Sequence, residues 1–158
     1  MGRIYKAAFQ GITVGTATQD VFEILCPADM VIRVHKCQIT DETSETSEQG
    51  VVVFKRGVVG VTSGSGGGTI TPSPLSYGDA ASGVTVERNN TTVAVTGTGS
   101  FQTIESLGFN WLSGFLYLPA PEDRADFSPG QFAIFTIPTV LGVARVCSGV
   151  LTFEEIGG

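Results

Sequence analysis

The side chains best suited to nucleophilic or soft-metal chemistry in this 158-residue chain are few: one histidine and three cysteines. His35 and Cys37 stand two apart in an apolar run, and the period of a strand would place them on one face, where a Cys–His dyad is conceivable. Neighbours on one strand face stand side by side, however, and no third group is available to orient the imidazole, so the structural reading of His35 is preferred. Cys26 and Cys37 lie eleven apart with Pro27 between them, which does not match the close Cys and His spacings that enclose a tetrahedral metal. Cys26, Cys37 and Cys147 sit in the apolar settings EILCPAD, VHKCQIT and ARVCSGV, and the expectation is three buried free thiols in a reducing cytoplasm.

The carboxylates offer little more. Glu154 and Glu155 are adjacent on a strand and point to opposite faces. Glu122, Asp123 and Asp126 surround Arg124 in a Pro-rich connection, and ion pairing within that loop is preferred to a hydrolytic pair. The acidic segment TDETSETSEQG, residues 40–50, has no apolar residue and is expected to be solvated; it lacks the spacing and turn glycine of an EF-hand loop. SGSGGG, residues 63–68, has the glycines of a phosphate loop without the Lys-Ser and helix that complete one. No enzyme, metal or other cofactor is expected from these residues.

The elements that would position such groups read as strands throughout. Valine and threonine recur in short runs between turn residues, with 21 glycines and no segment of helical period. Strands are expected at 4–10, 21–25, 31–40, 51–56, 84–88, 91–96, 101–107, 111–118, 132–137 and 143–155, the last interrupted at Ser148 and Gly149 by a bulge or corner. One all-β domain follows: an antiparallel β-sandwich, jelly-roll-like, of about eight to ten short strands with long loops. Asn89 and Asn90 both tolerate positive φ and predict a two-residue hairpin turn setting Val86 against Val93 and Val84 against Val95. The same asparagines match glycosylation sequons, but the N-terminus has no apolar signal region and the turn reading is preferred.

Composition narrows the partners. Charged residues make up 15%, against roughly 25% in an average domain, so part of the exterior must be small polar and apolar groups suited to protein contact. The net charge is −6 and the nine Lys and Arg are scattered, which disfavours direct contact with nucleic acid or an anionic membrane. No run is apolar for the ~20 residues of a membrane-spanning helix.

Several segments together resemble a group of small tailed-phage and prophage proteins. They are the N-terminal MGRIYKAAFQGITVGTATQDVFEILCPADMVIRVHKCQI, the loop TSGSGGGTITPSPLSYGDAASG, VERNNTT, LPAPEDR…FSPGQ and the terminal LTFEEIGG. The acidic, hydroxyl-rich loop at 40–50 departs from that group. The resemblance implies a virion structural protein, a capsid decoration or cement protein made in the bacterial cytoplasm and carried on the capsid surface. Its partners would be the major capsid protein and its own copies, a trimer being the expected homo-oligomer. The expected contact elements are the N-terminal arm, about residues 1–10, with Arg3 and Tyr5, and the loop 62–83 with Pro72, Pro74, Leu75 and Tyr77. In that loop residues 65–68 would give reach. The alternative is a carbohydrate- or receptor-binding sandwich of a phage fibre, using Trp111, Phe115 and Tyr117 as an alternating aromatic face that would otherwise be core.

Overall fold

A computed structural model describes residues 2–43, 47–138 and 142–157. Residues 44–46 of the acidic loop lie outside that description. The chain is all-β, with two antiparallel sheets of six strands each and one short 3-10 turn at Pro121–Asp123. The strands are β1 (Arg3–Val14), β2 (Gln19–Leu25), β3 (Met30–Asp41), β4 (Gln49–Gly57), β5 (Gly68–Ile70) and β6 (Ser73–Pro74). They continue with β7 (Val86–Asn90), β8 (Phe101–Asn110), β9 (Phe115–Tyr117), β10 (Asp126–Phe127), β11 (Phe132–Ile137) and β12 (Arg145–Gly157).

The first sheet runs β10-β3-β12-β1-β6, with β9 also on β3; the second runs β5-β7-β2-β11-β4-β8. First pairs with last (β1 with β12), second with second-to-last (β2 with β11), and β3 and β4 close on the other side of those partners. That nested order is the double Greek-key wrap of a jelly roll. Inward residues from both sheets meet in an aromatic centre: Phe54 stacks on Phe135 with ring centroids 4.2 Å apart, and Tyr117 and Phe127 pack against Phe54 at 5.2 and 5.7 Å. Each such ring, taken out of water, contributes about 1.5–3 kcal/mol, so this cluster is a main bond between the sheets.

Bulges decide several faces that simple alternation gets wrong. The register of β3 on β12 shifts so that Lys36 faces Thr152 and Val34 faces Phe153, leaving His35 as the extra residue. His35 therefore turns outward, its Nε2 3.1 Å from Glu154 Oε2, while Cys37 enters the core. The expected shared face does not exist. Near Ser148 and Gly149 the irregularity lies in β1, between Phe9 and Ile12, where Gly11 has φ 66°; β12 itself runs on unbroken.

The largest departure concerns residues 58–100. This stretch is an insertion between β4 and β8 rather than a free loop and a separate hairpin. Residues 62–70 lie antiparallel to 86–95, with Thr62 against Val95, Ser65 against Thr92, Gly68 against Arg88 and Ile70 against Val86. The register slips by one at Asn89, which has φ 52°; its neighbour Asn90 continues as a buried member of β7. The predicted hairpin of 84–88 on 91–95 is thus replaced by pairing with the glycine-rich strand.

Candidate functional site

The insertion is the element that most distinguishes this chain from a bare eight-strand jelly roll, and the fold spends buried charge to hold it. Its two limbs lie over the outer face of the second sheet, where Val61 and Ala94 bury Phe132 and Ile134. Asp20 and Glu23 of β2 reach the same outer side because the register of β2 on β11 shifts opposite Val21. Asp20 is fully buried, accepts from the Ala94 amide at 2.7 Å and from the Thr136 hydroxyl, and lies 3.8 Å from Lys55 Nζ.

Glu23 lies directly across from Glu87 in the pairing of β2 with β7. Ser63 Oγ donates to Glu23 at 2.5 Å and lies 3.4 Å from Glu87, the Gly64 amide donates to Glu23 at 3.1 Å, and Asn90 Nδ2 donates to Glu23 at 3.2 Å and Glu87 at 2.7 Å. Burial raises the pKa of Glu23 above the ordinary carboxylate value, against the Ser63 and Gly64 hydrogen bonds, and the Glu87 charge adds to the rise. The pair borders a cavity of about 400 Å³ that Leu25, Pro27, Val84 and Phe132 also line. The two facing carboxylates take their hydrogen-bond donors, Ser63, Gly64 and Asn90, from the insertion. Ser63 donates to a carboxylate and not to an imidazole, since the one histidine lies on the other sheet.

The glycines are there because of this network. A Cβ at Gly64 would stand 2.7 Å from the Thr92 carbonyl and 3.0 Å from Glu23 Oε2, and one at Gly67 would stand 2.1 Å from the Arg88 carbonyl. SGSGGG is thus close-approach backbone, not a source of reach.

The middle of the insertion, residues 71–85, crosses to the other sheet and is fixed there. Ser73 and Pro74 pair with Lys6 and Tyr5 of β1, and the Leu75 amide donates to the Ile4 carbonyl at 2.8 Å. Tyr5 Oη donates to the Ala80 carbonyl at 3.0 Å, and Ser82 Oγ donates to the buried Glu155 at 2.5 Å. Between those anchors Leu75 is 58% exposed and Tyr77 is fully exposed.

The expected contact residues therefore divide. Arg3, Leu75 and Tyr77 are exposed and Pro74 is half-buried. Tyr5 is fully buried and Pro72 is buried, so neither can meet a partner's surface; both serve to seat the segment. Nor are residues 3–10 an arm, because β1 pairs with β12 on one side and β6 on the other.

The aromatic face proposed for sugar is also corrected. Trp111 (1% exposed), Phe115 (3%) and Tyr117 (5%) are all buried. Trp111 lies in a turn ending at Gly114 (φ 74°), not on a strand with the other two, and it packs edge-on to Phe109 at 4.8 Å.

The described ends of the acidic loop, at Asp41, Glu42 and Glu48, are tied down as well. Arg145 is 1% exposed, donates to Asp41 at 2.6 Å and to Glu48, and lies over the Trp111 ring at 5.3 Å. Burial opposes its charge, yet the Glu48 and Asp41 carboxylates outweigh burial and hold its pKa above the ordinary value; Arg145 in turn holds Glu48 below its own. Glu42 Oε1 accepts from the Gly11 amide at 3.1 Å. Among the described residues Arg124 forms no ion pair with its acidic neighbours, and Asp126 is held by Arg33 at 2.7 and 2.8 Å instead. All three cysteines are buried and free, and burial pushes their thiols up, Cys147 to about 12, so none offers a thiolate near neutral pH.

Sequence reasoning missed Asp20 and Glu23. The available signal was two acids in the otherwise apolar QDVFEIL together with a glycine run that needs close approach to something polar.

No family model matches the chain, and no curated protein sequence matches it. Among solved structures it is similar to a chain of infectious bursal disease virus, Gx strain, at 12% identity over 99% of this chain and 42% of that one, with a TM-score of 0.16. A chain of the T13 particle of the same virus gives 12% identity, 99% and 40% coverage, and a TM-score of 0.16. This chain spans less than half the length of those chains, and a likeness at that TM-score carries no argument.

Proposed function

We propose that this chain is a structural protein of a tailed-phage virion, a decoration protein that binds the major capsid protein and stabilises the head. One observation carries the reading. The insertion is anchored to both sheets yet holds Leu75 and Tyr77, an aliphatic and a large aromatic side chain, out in solvent. A preorganised apolar tip of this kind loses little entropy on docking, and exposed tyrosine is a frequent anchor of protein interfaces. The low charge fraction suits the same role. The phage context comes from the resemblance of the sequence segments, and copies arranged as trimers would present one tip each to the capsid lattice. The buried positions of Trp111, Phe115 and Tyr117 leave the sugar-binding alternative without its aromatic face.

Mass spectrometry of purified particles from the encoding strain is the test. The chain is expected in the particle, and Tyr77→Ala with Leu75→Ser is expected to reduce its occupancy at least tenfold while the free protein melts unchanged. Absence of the chain from particles overturns the proposal.

A further inference from the structure

The second sheet ends in β8, at the edge opposite β5 and β7. Among the described residues β8 pairs only with β4 and β9 only with β3, so each presents one edge without a strand partner there. Along its ten residues β8 carries no Lys and no Pro, the residues that commonly blunt an edge strand. In an antiparallel ladder every second residue turns its N–H and C=O away from the paired neighbour, so this edge offers a row of unused backbone groups.

Side chains make the edge selective. The register of β8 on β4 shifts at Ile104, which sets Glu105 opposite the inward-facing Phe54 and Leu107 opposite the buried Val52. Glu105 thus points into the mouth between the sheets, where Tyr117 of β9 packs against the same Phe54. Glu105, Leu107, Leu116, Tyr117, Leu118 and Asp123 line one cavity of about 270 Å³. Leu116 and Leu118 are 53% and 63% exposed. The Tyr117 ring is buried, and its hydroxyl has no hydrogen-bond partner among the described residues. Burial, then the charges of Glu105 and Asp123, raise that hydroxyl's pKa to about 12, so the fields of both carboxylates converge on it.

We propose that the β8–β9 edge is a docking site for an extended segment of a different protein chain, which adds a strand to β8 and places a lysine or arginine side chain between Glu105, Asp123 and the Tyr117 hydroxyl. The backbone valency calls for a strand, the leucines for apolar neighbours on its inner face, and the paired acids for a cation. This chain's own cations are poorly placed to supply it. Eight of the nine Lys and Arg lie in strands already paired, Arg124 sits between the 3-10 turn and β10, and neither β8 nor β9 has one. The inward Glu105 beside its bulge also repels strands that bring no cation, which is selection by exclusion. This surface is independent of the virion reading, and its test uses the purified chain alone.

The probe is the peptide acetyl-Thr-Lys-Thr-Leu-Thr-amide, with a control in which Glu replaces Lys. By NMR, the lysine peptide is expected to slow amide exchange along residues 101–110 with millimolar affinity. Glu105→Gln with Asp123→Asn is expected to weaken it about tenfold without changing the melting temperature, consistent with losing charge partners at a partly solvated site. Equal binding of the glutamate peptide, protection confined to other strands, or no binding up to about 5 mM, which is weaker than roughly 3 kcal/mol, overturns the proposal. So does sedimentation that finds a dimer whose β8 amides are protected without peptide.

Discussion

A Cβ at Gly67 would stand 2.1 Å from the carbonyl oxygen of Arg88, closer than any side chain can approach. The contact is backbone on both sides, so neither partner can swing away, and Asn90 Oδ1 closes the remaining direction at 2.7 Å. Gly67→Ala is therefore expected to force the glycine strand off β7. Overpacking of this kind costs about 1–3 kcal/mol, which for a chain of this size lowers Tm by roughly 2–10 °C. Gly78→Ala, where a Cβ meets nothing within 4 Å, is the control and should melt like the parent. Equal melting of the two variants in a calorimeter would remove the close-approach explanation of SGSGGG.

Glu23 gives a pH dependence with a definite sign. Its folded-state pKa lies above the ordinary carboxylate value, chiefly through burial, so the folded chain holds this proton more tightly than the unfolded one. A carboxylate shifted in that direction contributes stability below its unfolded pKa and loses it as pH rises through the folded value. Glu23→Gln removes that dependence. The stability of the variant relative to the parent should improve as pH rises from about 4.5 toward neutrality. Urea melts at a series of pH values check this, and a difference that stays flat across the series contradicts it.

How far the fold was legible follows from these same residues. Short apolar runs between turn residues located the longer strands, and 132–137 coincides with β11 to the residue, but β5, β6 and β10 were not expected and 91–96 carries only isolated bridges. Periodicity carries no record of partners, however. VERNNTTV has the composition of a hairpin, and turn chemistry favoured one. Asn90 is instead drawn into β7 because its amide bridges Glu23 and Glu87 from another part of the chain. Burial of the Glu23 carboxylate beside Glu87 needs those donors, and that requirement outweighs a local turn preference. The bulges at His35, Val21 and Ile104 are equally silent in the sequence, yet each reassigns which chemistry-bearing side chain faces which neighbour. The exposure of Leu75 and Tyr77 was legible from their place in a long loop; that Tyr5 belongs underneath them was not.

Arg145 provides a test of the acidic loop. Its guanidinium joins Asp41 and Glu48 beneath Trp111, and removing it leaves Asp41, whose side chain is 2% exposed, without that cation. Breaking a buried pair from one side costs about 3–5 kcal/mol, because the surviving charge stays desolvated. Arg145→Met is expected to lose about that much by urea denaturation, and Asp41→Asn added to it should restore part of the loss. A double variant no more stable than Arg145→Met alone would mean that the guanidinium acts by packing on Trp111 rather than by charge.

Tyr5 links the core to the proposed contact tip. Its ring stacks on Phe153 at 5.9 Å while its hydroxyl donates to the Ala80 carbonyl, so one side chain spans from the sandwich interior to the segment that carries Tyr77. Tyr5→Phe keeps the ring and removes one hydrogen bond, a net change of about 0.5–1.5 kcal/mol. Global stability should fall by no more than that. Local opening of residues 75–82 should rise about two- to tenfold, because the lost bond is one of the few that restrain this stretch. Chymotrypsin, which cleaves after exposed aromatic residues, reads the opening directly at Tyr77. Faster cutting at Tyr77 in Tyr5→Phe, with the remaining sites as slow as in the parent, is the expected pattern. An unchanged rate would mean that the β6 pairing and the Ser82–Glu155 bond hold the tip by themselves.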